Sequence, residues 1–437
     1  MSRVLGTELR RSAAAGSALI LAVVGVLLLF FAEGIGFADG WMQLAMSQRL
    51  FLAVLWPLAL AAGAWQARRE SRSKVAELFA STPLPVARRS VPALAVMALA
   101  VVAAYLAMSL AGAIWIFGTA TYLPASFFTV MAVGALALVG AVWFGLAVGR
   151  LLPSPVTAPA LSIAGLGLLL LIPALTRPHG WLALVFSPIY EMNMPGAYAT
   201  VPGRVSLAQT LWMIALAATA VLLFTSTGWR PRVAALLPVV LGAALAITVM
   251  PHQNRQVTDA VDPVARELVC DGPVCVSRVH QGLLAEVAGP AKEGLTVLAK
   301  LPGGPTRVHE DTYAYPDTFP AFEADVVLLT MKVTPSGHLA DEEHVTGEVV
   351  AGAFSSAREC EAGFTSPAER LAAGYWLLGQ APVSTDDYDP DAGDEAVRLW
   401  EQLRQLPEAE AMNRVVALRK AALACQVRDG LFGGSPR

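Results

Sequence analysis

The sequence predicts an α-helical polytopic membrane protein with seven transmembrane helices, followed by an α+β domain outside the membrane. Three observations carry this. Long uncharged apolar runs fill the first 250 residues of a 437-residue chain that is 55% apolar and 15% charged. Charge is split: residues 1–250 hold 15 basic and 6 acidic groups, whereas residues 251–437 hold 16 basic and 28 acidic ones. All four cysteines lie in the second part. This composition excludes a wholly soluble enzyme, a fibrous protein and a disordered chain. The acidic half also argues against nucleic acid as a partner, because phosphate binding needs clustered Lys and Arg.

A helix needs about 20 apolar residues to cross the hydrocarbon core. Segment 12–32 (Ser12 to Ala32) carries no charge and follows Arg10 and Arg11. Its apolar run exceeds a signal-peptide core, so it is read as a retained helix. Segment 50–66 is the second span. Ser90 to Gly149 is 60 residues without a charge, hence two crossings broken by a turn around Gly118–Pro124. Residues 151–176, 205–229 and 233–250 complete the seven. Small residues such as the pair Gly145 and Gly149 either bring helix backbones together or merely reflect composition. No Asp, Glu, Lys or Arg lies in the middle of a span, which disfavours a proton- or ion-coupled pump.

Orientation follows from Lys and Arg. With the N-terminus cytoplasmic, the inner segments hold Arg3, Arg10, Arg11, Arg68, Arg69, Arg72, Lys74, Arg88, Arg89, Arg150, Arg230 and Arg232. The outer segments up to the seventh span hold only Arg49, Arg177 and Arg204. An odd number of crossings then puts residues 251–437 outside a cell membrane. Trp181, Trp212 and Trp229 fall at the inferred membrane edges, where aromatic belts are expected.

The longest cytoplasmic loop, 67–90, contains a short amphipathic helix over 73–80. Ser73 can cap it, Val75, Leu78 and Phe79 share a face, and Pro83 and Pro85 end it. Taken alone, this stretch is either a solvated basic loop or a docking element. Here residues 1–232 resemble the six-span permease subunits of type-2 ABC exporters, which carry a coupling helix and a Leu-Leu-Ala-Ser/Thr-Thr-Pro stretch between spans two and three. Leu78-Phe79-Ala80-Ser81-Thr82-Pro83 matches that stretch. The resemblance implies that Val75, Glu77, Leu78, Phe79, Ser81 and Thr82 dock a separate ABC ATP-binding subunit. It also implies a homodimer or heterodimer with a second permease, and an outer segment that dips into the bilayer, for which residues 180–200 are suited. The seventh span, 233–250, departs from the family and would anchor the outer domain. No phosphate-binding loop G-x-x-x-x-G-K-[ST] is present, so ATP and Mg would belong to the partner and this chain would carry no cofactor and no enzymatic activity of its own. An amphipathic or peptide-like cargo is expected. The same features also fit a membrane-anchored receptor or assembly protein and, less directly, a surface peptidase.

Within 251–437, Leu268–Cys270 and Val274–Val276 read as short strands around Asp271-Gly272, and 281–300 as a helix. Gly303, Gly304 and Pro305 make a turn, Ala324–Lys332 is an apolar strand, and helices are expected at 341–358, 366–379, 393–405 and 408–428. In an oxidising exterior Cys270, Cys275, Cys360 and Cys425 suggest two disulfides: Cys270–Cys275 across a hairpin and Cys360–Cys425 between helix ends. Two other pairings remain open, and a metal site is the rival reading. Val345-Thr346-Gly347-Glu348-Val349-Val350-Ala351 looks like a zincin helix whose two His have become Gly347 and Ala351. Ala368-Glu369-Arg370-Leu371-Ala372 is similar to the Asn-Glu-Gly-Phe-Ala stretch of gluzincin aminopeptidases. That resemblance implies a degenerate fold with Glu348 and Glu369 at the general-base and third-ligand positions and no zinc; an ordinary amphipathic helix is the alternative. Asp387, Asp389 and Asp391 have a calcium-loop rhythm but are read as an acidic helix cap, because Gly393 is one place too late. His280, His309, His338 and His344 are read as surface histidines.

Overall fold

The structure, a computed structural model, describes residues 13–32, 36–72, 86–189, 196–258, 260–314, 320–340, 342–357, 360, 365–383 and 390–426. It divides into two units, residues 1–117 with 123–262 and residues 118–122 with 263–437.

In the first unit apolar sequence forms α1 (Ala14–Phe31), α2 (Trp41–Leu50), α3 (Leu52–Arg72), α4 (Val86–Ile116), α5 (Ala125–Leu151) and α6 (Thr157–Thr176). These are followed by α7 (Gly180–Phe186), α8 (Gly203–Thr225), α9 (Trp229–Ala234), α10 (Leu237–Val249) and α11 (Asn254–Thr258). Six segments are long and apolar enough to cross a membrane: α1, α4 from Ser90, α5, α6, α8, and Trp229–Val249, which joins α9 to α10. A seventh arises if α2 and Leu52–Arg68 of α3, bent by 52° at Phe51, count as one. Counted so, the second span is bent and starts before residue 50. Pro57 explains the bend: it lacks an N–H and its ring crowds the Ala53 carbonyl, within one turn of Phe51.

Side chains show which helix ends share an end of the bundle. Gln66 of α3 accepts from the Ala13 N–H at the start of α1 (2.9 Å), and Arg150 of α5 donates to the Phe224 carbonyl of α8 (2.7 Å). Trp143 of α5 donates to the Leu94 carbonyl of α4 (2.9 Å). The C-terminal ends of α3, α5 and α8 thus lie with the N-terminal ends of α1 and α4, and Arg68, Arg150, Arg230 and Arg232 gather there.

Glycine lets α3 and α5 touch backbone to backbone. A side chain at Gly63 would strike the Val142 carbonyl, one at Gly145 the Leu60 carbonyl, and one at Gly149 the Ala64 carbonyl at 2.6 Å. Of the two readings of the Gly145–Gly149 pair, close approach is the one realised. Without a hydrophobic force between helices in lipid, such contact is what holds them.

The second unit holds β1 (Leu268–Asp271), β2 (Val274–Ser277), α12 (Leu284–Leu298), β3 (Arg307–Glu310) and β4 (Val326–Leu329). Four helices follow: α13 (Val345–Gly352), α14 (Pro367–Leu378), α15 (Pro390–Gln405) and α16 (Glu408–Leu423). The sheet order is β1-β2-β3-β4, antiparallel in the first pair and parallel in the other two. Gly272, at φ 63°, takes the first central position of the two-residue β1–β2 turn, the requirement of a type II′ hairpin. Val276, Val308, Val327 and Leu329 of the sheet pack on Val287, Val349 and Phe354, and Trp400 and Leu418 extend the same core. Three differences from expectation stand out. Strand β3 was not anticipated, β4 is shorter than 324–332, and the helix expected over 341–358 is confined to α13, preceded by a 3-10 turn at Glu342–His344.

Both disulfides take the first of the possible pairings. Cys270 and Cys275 face each other across the hairpin with Cα atoms 4.0 Å apart, and Cys360 joins Cys425 at 5.1 Å.

Candidate functional site

In the first unit several polar side chains converge on α7. This helix is only two turns long and packs against α6, α8, α10 and α11, so its last carbonyls have no helical partner inside an apolar bundle. Side chains supply the donors. Gln209 of α8 gives its amide N–H to the Leu184 carbonyl (2.9 Å) and Trp212 its indole N–H to the Phe186 carbonyl (3.2 Å). Arg49, at the end of α2, donates to the Pro188 carbonyl through Nε (3.0 Å) and Nη2 (2.7 Å), and Nη2 also reaches Gln209 Oε1 (3.3 Å). The guanidinium is 1% exposed. A cation at the C-terminal end of a helix also meets the negative end of its dipole.

Arg49, which the sequence counts with the outer segments, is buried among helices at the bend at Phe51. Trp212, expected at a membrane edge, lies in the middle of α8 with its ring edge-on to Phe186 at 4.9 Å. Of the segment 180–200 expected to dip into the bilayer, residues 180–186 form α7, and residues 190–195 lie outside the described ones. Beside Arg49, Tyr105 of α4 is 1% exposed, and its hydroxyl and the Arg49 Cδ (3.0 Å) both occupy the space a side chain at Gly134 would take. Ser109 donates to Gln48 Oε1 (2.9 Å). Gln48 Nε2, the Tyr105 hydroxyl and the Ser206 hydroxyl are buried and have no hydrogen-bond partner among the described residues. The first unit thus contains a polar seam that span-by-span hydropathy does not reveal.

The predicted docking residues Val75, Glu77, Leu78, Phe79, Ser81 and Thr82 lie outside the described residues, between the end of α3 and the start of α4. So do Asp387 and Asp389, and the Asp391 side chain.

In the second unit the zincin-like positions have packing roles. Gly347 lies under the Tyr375 hydroxyl, and Gly374 stands over Ala351, so close that a side chain there would meet the Ala351 Cα at 2.8 Å. Residues 347 and 351 are small because α13 and α14 cross in contact, which leaves no room for His at either. Burial, and then the nearby Glu348 carboxylate, push the Tyr375 phenol above its ordinary value. Glu369, 8% exposed, closes a capping box: its carboxylate accepts from the Ser366 N–H (3.4 Å) and its own N–H donates to Ser366 Oγ (3.1 Å). The spacing Ser366-x-x-Glu369 is the signal that predicts this role. Among the described residues no three His, Cys, Asp or Glu side chains are grouped to hold a metal ion.

His280 is not a surface residue. It is 5% exposed, and its Nδ1 lies 2.5 Å from Glu310 Oε1, while Glu310 Oε2 accepts from the Ser277 N–H (2.6 Å). Ser277 Oγ is 3.4 Å from the same Nδ1. A nucleophilic relay needs hydroxyl and carboxylate on opposite ring nitrogens. Here both meet one nitrogen, so the group ties β2 to β3 instead. His338 is exposed and pairs with Glu286 (2.8 Å).

No known protein family, curated protein or solved structure matches this chain.

Proposed function

We propose that the chain is the membrane subunit of an ABC exporter that works with a separate ATP-hydrolysing subunit and a second permease. The observation that carries this reading is the gathering of cations at one end of the helix bundle, the end at which α3 and α4 are joined through the Leu78-Phe79-Ala80-Ser81-Thr82-Pro83 stretch. The positive-inside rule assigns that end to the cytoplasm, where an ATPase could reach it. Two further features support the reading. Short α7, held by side chains on its last carbonyls, suits the dipping outer segment of such permeases, and the sequence lacks a phosphate loop of its own. The acidic second unit would then face outward and receive or hand on an amphipathic or peptide-like cargo.

Replacing Leu78 and Phe79 with Asp tests this. Stimulation of the partner's ATP hydrolysis should be lost while membrane insertion is kept. Purification of the native protein from membranes without any P-loop ATPase, or unchanged stimulation in the double variant, would overturn the reading.

A further inference from the structure

At the end of the helix bundle opposite Arg68, Arg150, Arg230 and Arg232, α6 stops at Thr176 and α10 at Val249, where their uncharged apolar runs stop. The polar residues that follow stand at the depth of lipid headgroups. They are Arg177 and His179, with Trp181 in the first turn of α7, and His252 beyond α10. Because α7 packs against both α6 and α10, it brings these residues together. Asn254 of α11 fixes the join: its Oδ1 accepts from the Trp181 backbone N–H (2.9 Å) and its Nδ2 donates to the Pro178 carbonyl (3.4 Å). The His252 ring lies on the Trp181 ring, centroids 4.6 Å apart, and its Nε2–H donates to the Ile247 carbonyl (2.9 Å). His179 meets the same indole edge-on at 6.2 Å.

Three donors remain over. The exposed Arg177 guanidinium makes no ion pair or hydrogen bond among the described residues, and neither the His179 imidazole nor the Trp181 indole N–H has an acceptor among them. The surrounding sequence is basic: residues 177–258 hold five arginines and one acid, Glu191, which lies outside the described residues. Toward the bilayer interior the helices offer exposed apolar stripes, Leu171 and Leu175 on α6 and Leu241 and Leu245 on α10, each pair four residues apart and so on one face. At headgroup depth a phosphodiester supplies the negative charge and the acceptor oxygens that these donors lack, and its acyl chains cover the leucines. A soluble anion would meet only the first half of these features.

We propose that this cluster binds one anionic phospholipid in the leaflet away from the cation-rich end of the bundle. Arg177 and His179 donate to the phosphate oxygens, and Trp181 Nε1–H donates to a phosphate or ester oxygen of the same lipid. His252 and Asn254 are positioning residues: one stacks on the indole and the other holds the chain on either side of it. The acyl chains rest on the leucine stripes of α6 and α10. The proposal needs the helix bundle to sit in a membrane and does not rest on the transport reading.

The test uses the full chain in detergent micelles, titrated with phosphatidylglycerol or with phosphatidylcholine of the same chains, and counts retained lipid by native mass spectrometry. One phosphatidylglycerol should be held about fivefold more tightly than phosphatidylcholine, the worth of one basic side chain beside an anionic lipid. Arg177→Gln, at an exposed position, should erase that preference. Trp181→Phe, which keeps the ring and removes the donor, should weaken both lipids about two- to threefold. Arg204→Gln, which removes the exposed cation at the start of α8 at the same end of the bundle, should leave the preference intact. Equal retention of the two lipids would overturn the proposal. So would an equal loss in Arg204→Gln, the mark of diffuse attraction, or displacement by inorganic phosphate as ready as by phosphatidylglycerol, the mark of a free-anion site. A dimer that retains no phosphatidylglycerol would also overturn it, because a second chain would then cover the leucines. None of these results bears on the Leu78 and Phe79 experiment, nor that experiment on this one.

Discussion

Each unit buries an arginine and turns it on backbone carbonyls, but for different reasons. Arg49 takes the Pro188 carbonyl in a bidentate grip at 3.0 and 2.7 Å, closing the broken end of α7 where no water can substitute. Arg419 of α16, 5% exposed, donates to the Ala353 carbonyl (2.5 Å), the Ala324 carbonyl (2.8 Å) and the Gly303 carbonyl (3.3 Å). It clasps the end of α13, the approach to β4 and the turn after α12. In the helix bundle the guanidinium answers a local deficit of donors; in the second unit it joins segments distant in sequence. The units also close differently: the second has two covalent ties, whereas the first has no cysteine and relies on glycine contacts.

The contrast can be tested from its largest expected effect downward. Cys360→Ser with Cys425→Ser opens a closure of 65 residues and should lower the stability of the second unit by about 4 kcal/mol, against about 2 kcal/mol for the five-residue closure Cys270–Cys275. Calorimetry in the presence and absence of reductant measures both; equal losses would mean that chain entropy is not what the bridges restrain. Arg49→Met should cost about 3 kcal/mol and Arg419→Met about 2 kcal/mol, since two of the carbonyls that Arg419 holds are only partly buried. Thermal unfolding in detergent should rank them so, and the reverse order would break the comparison. Gly145→Ala should separate α3 from α5 and cost about 1–2 kcal/mol, whereas Ala at Gly289, where nothing approaches, should cost nothing or stabilise.

The smallest effect is one of pH. His309 is half-buried on β3; burial first, and then Arg307, hold its imidazole below its ordinary value, with Glu323 and Asp325 opposing more weakly. The folded state therefore takes this proton less readily than the unfolded chain. Its contribution is complete above about pH 6.5 and is lost as pH falls through the lower folded value. Acidification from about pH 7 to about pH 5 should lower the Tm of the second unit, and His309→Gln should flatten that slope slightly. An unchanged slope would remove His309 from the account.

Much of the architecture was legible in the sequence because it rests on local signals. Uncharged runs mark the helices of the first unit, and Asp271-Gly272 between apolar triplets marks the hairpin. Strand β3 escaped because Arg307 and His309 alternate with Val308 over only four residues, too short a period to register. The polar seam escaped for another reason. Arg49 meets a carbonyl 139 residues away, and His280 a carboxylate 30 residues away, distances that no spacing rule covers. At Gly347 and Ala351 the pattern suggested lost ligands, whereas the contact between α13 and α14 accounts for small residues there.

The glycine seam between α3 and α5 also limits how the bundle can deform. With Gly145 pressed on Leu60 and Gly149 on Ala64, sliding either helix by a fraction of a turn would drive Cα atoms into carbonyl oxygens. The two must therefore travel as one lever. Any rearrangement of the bundle has to occur along seams lined by yielding side chains, such as the contact of Gly25 in α1 with the flexible Met108 thioether of α4.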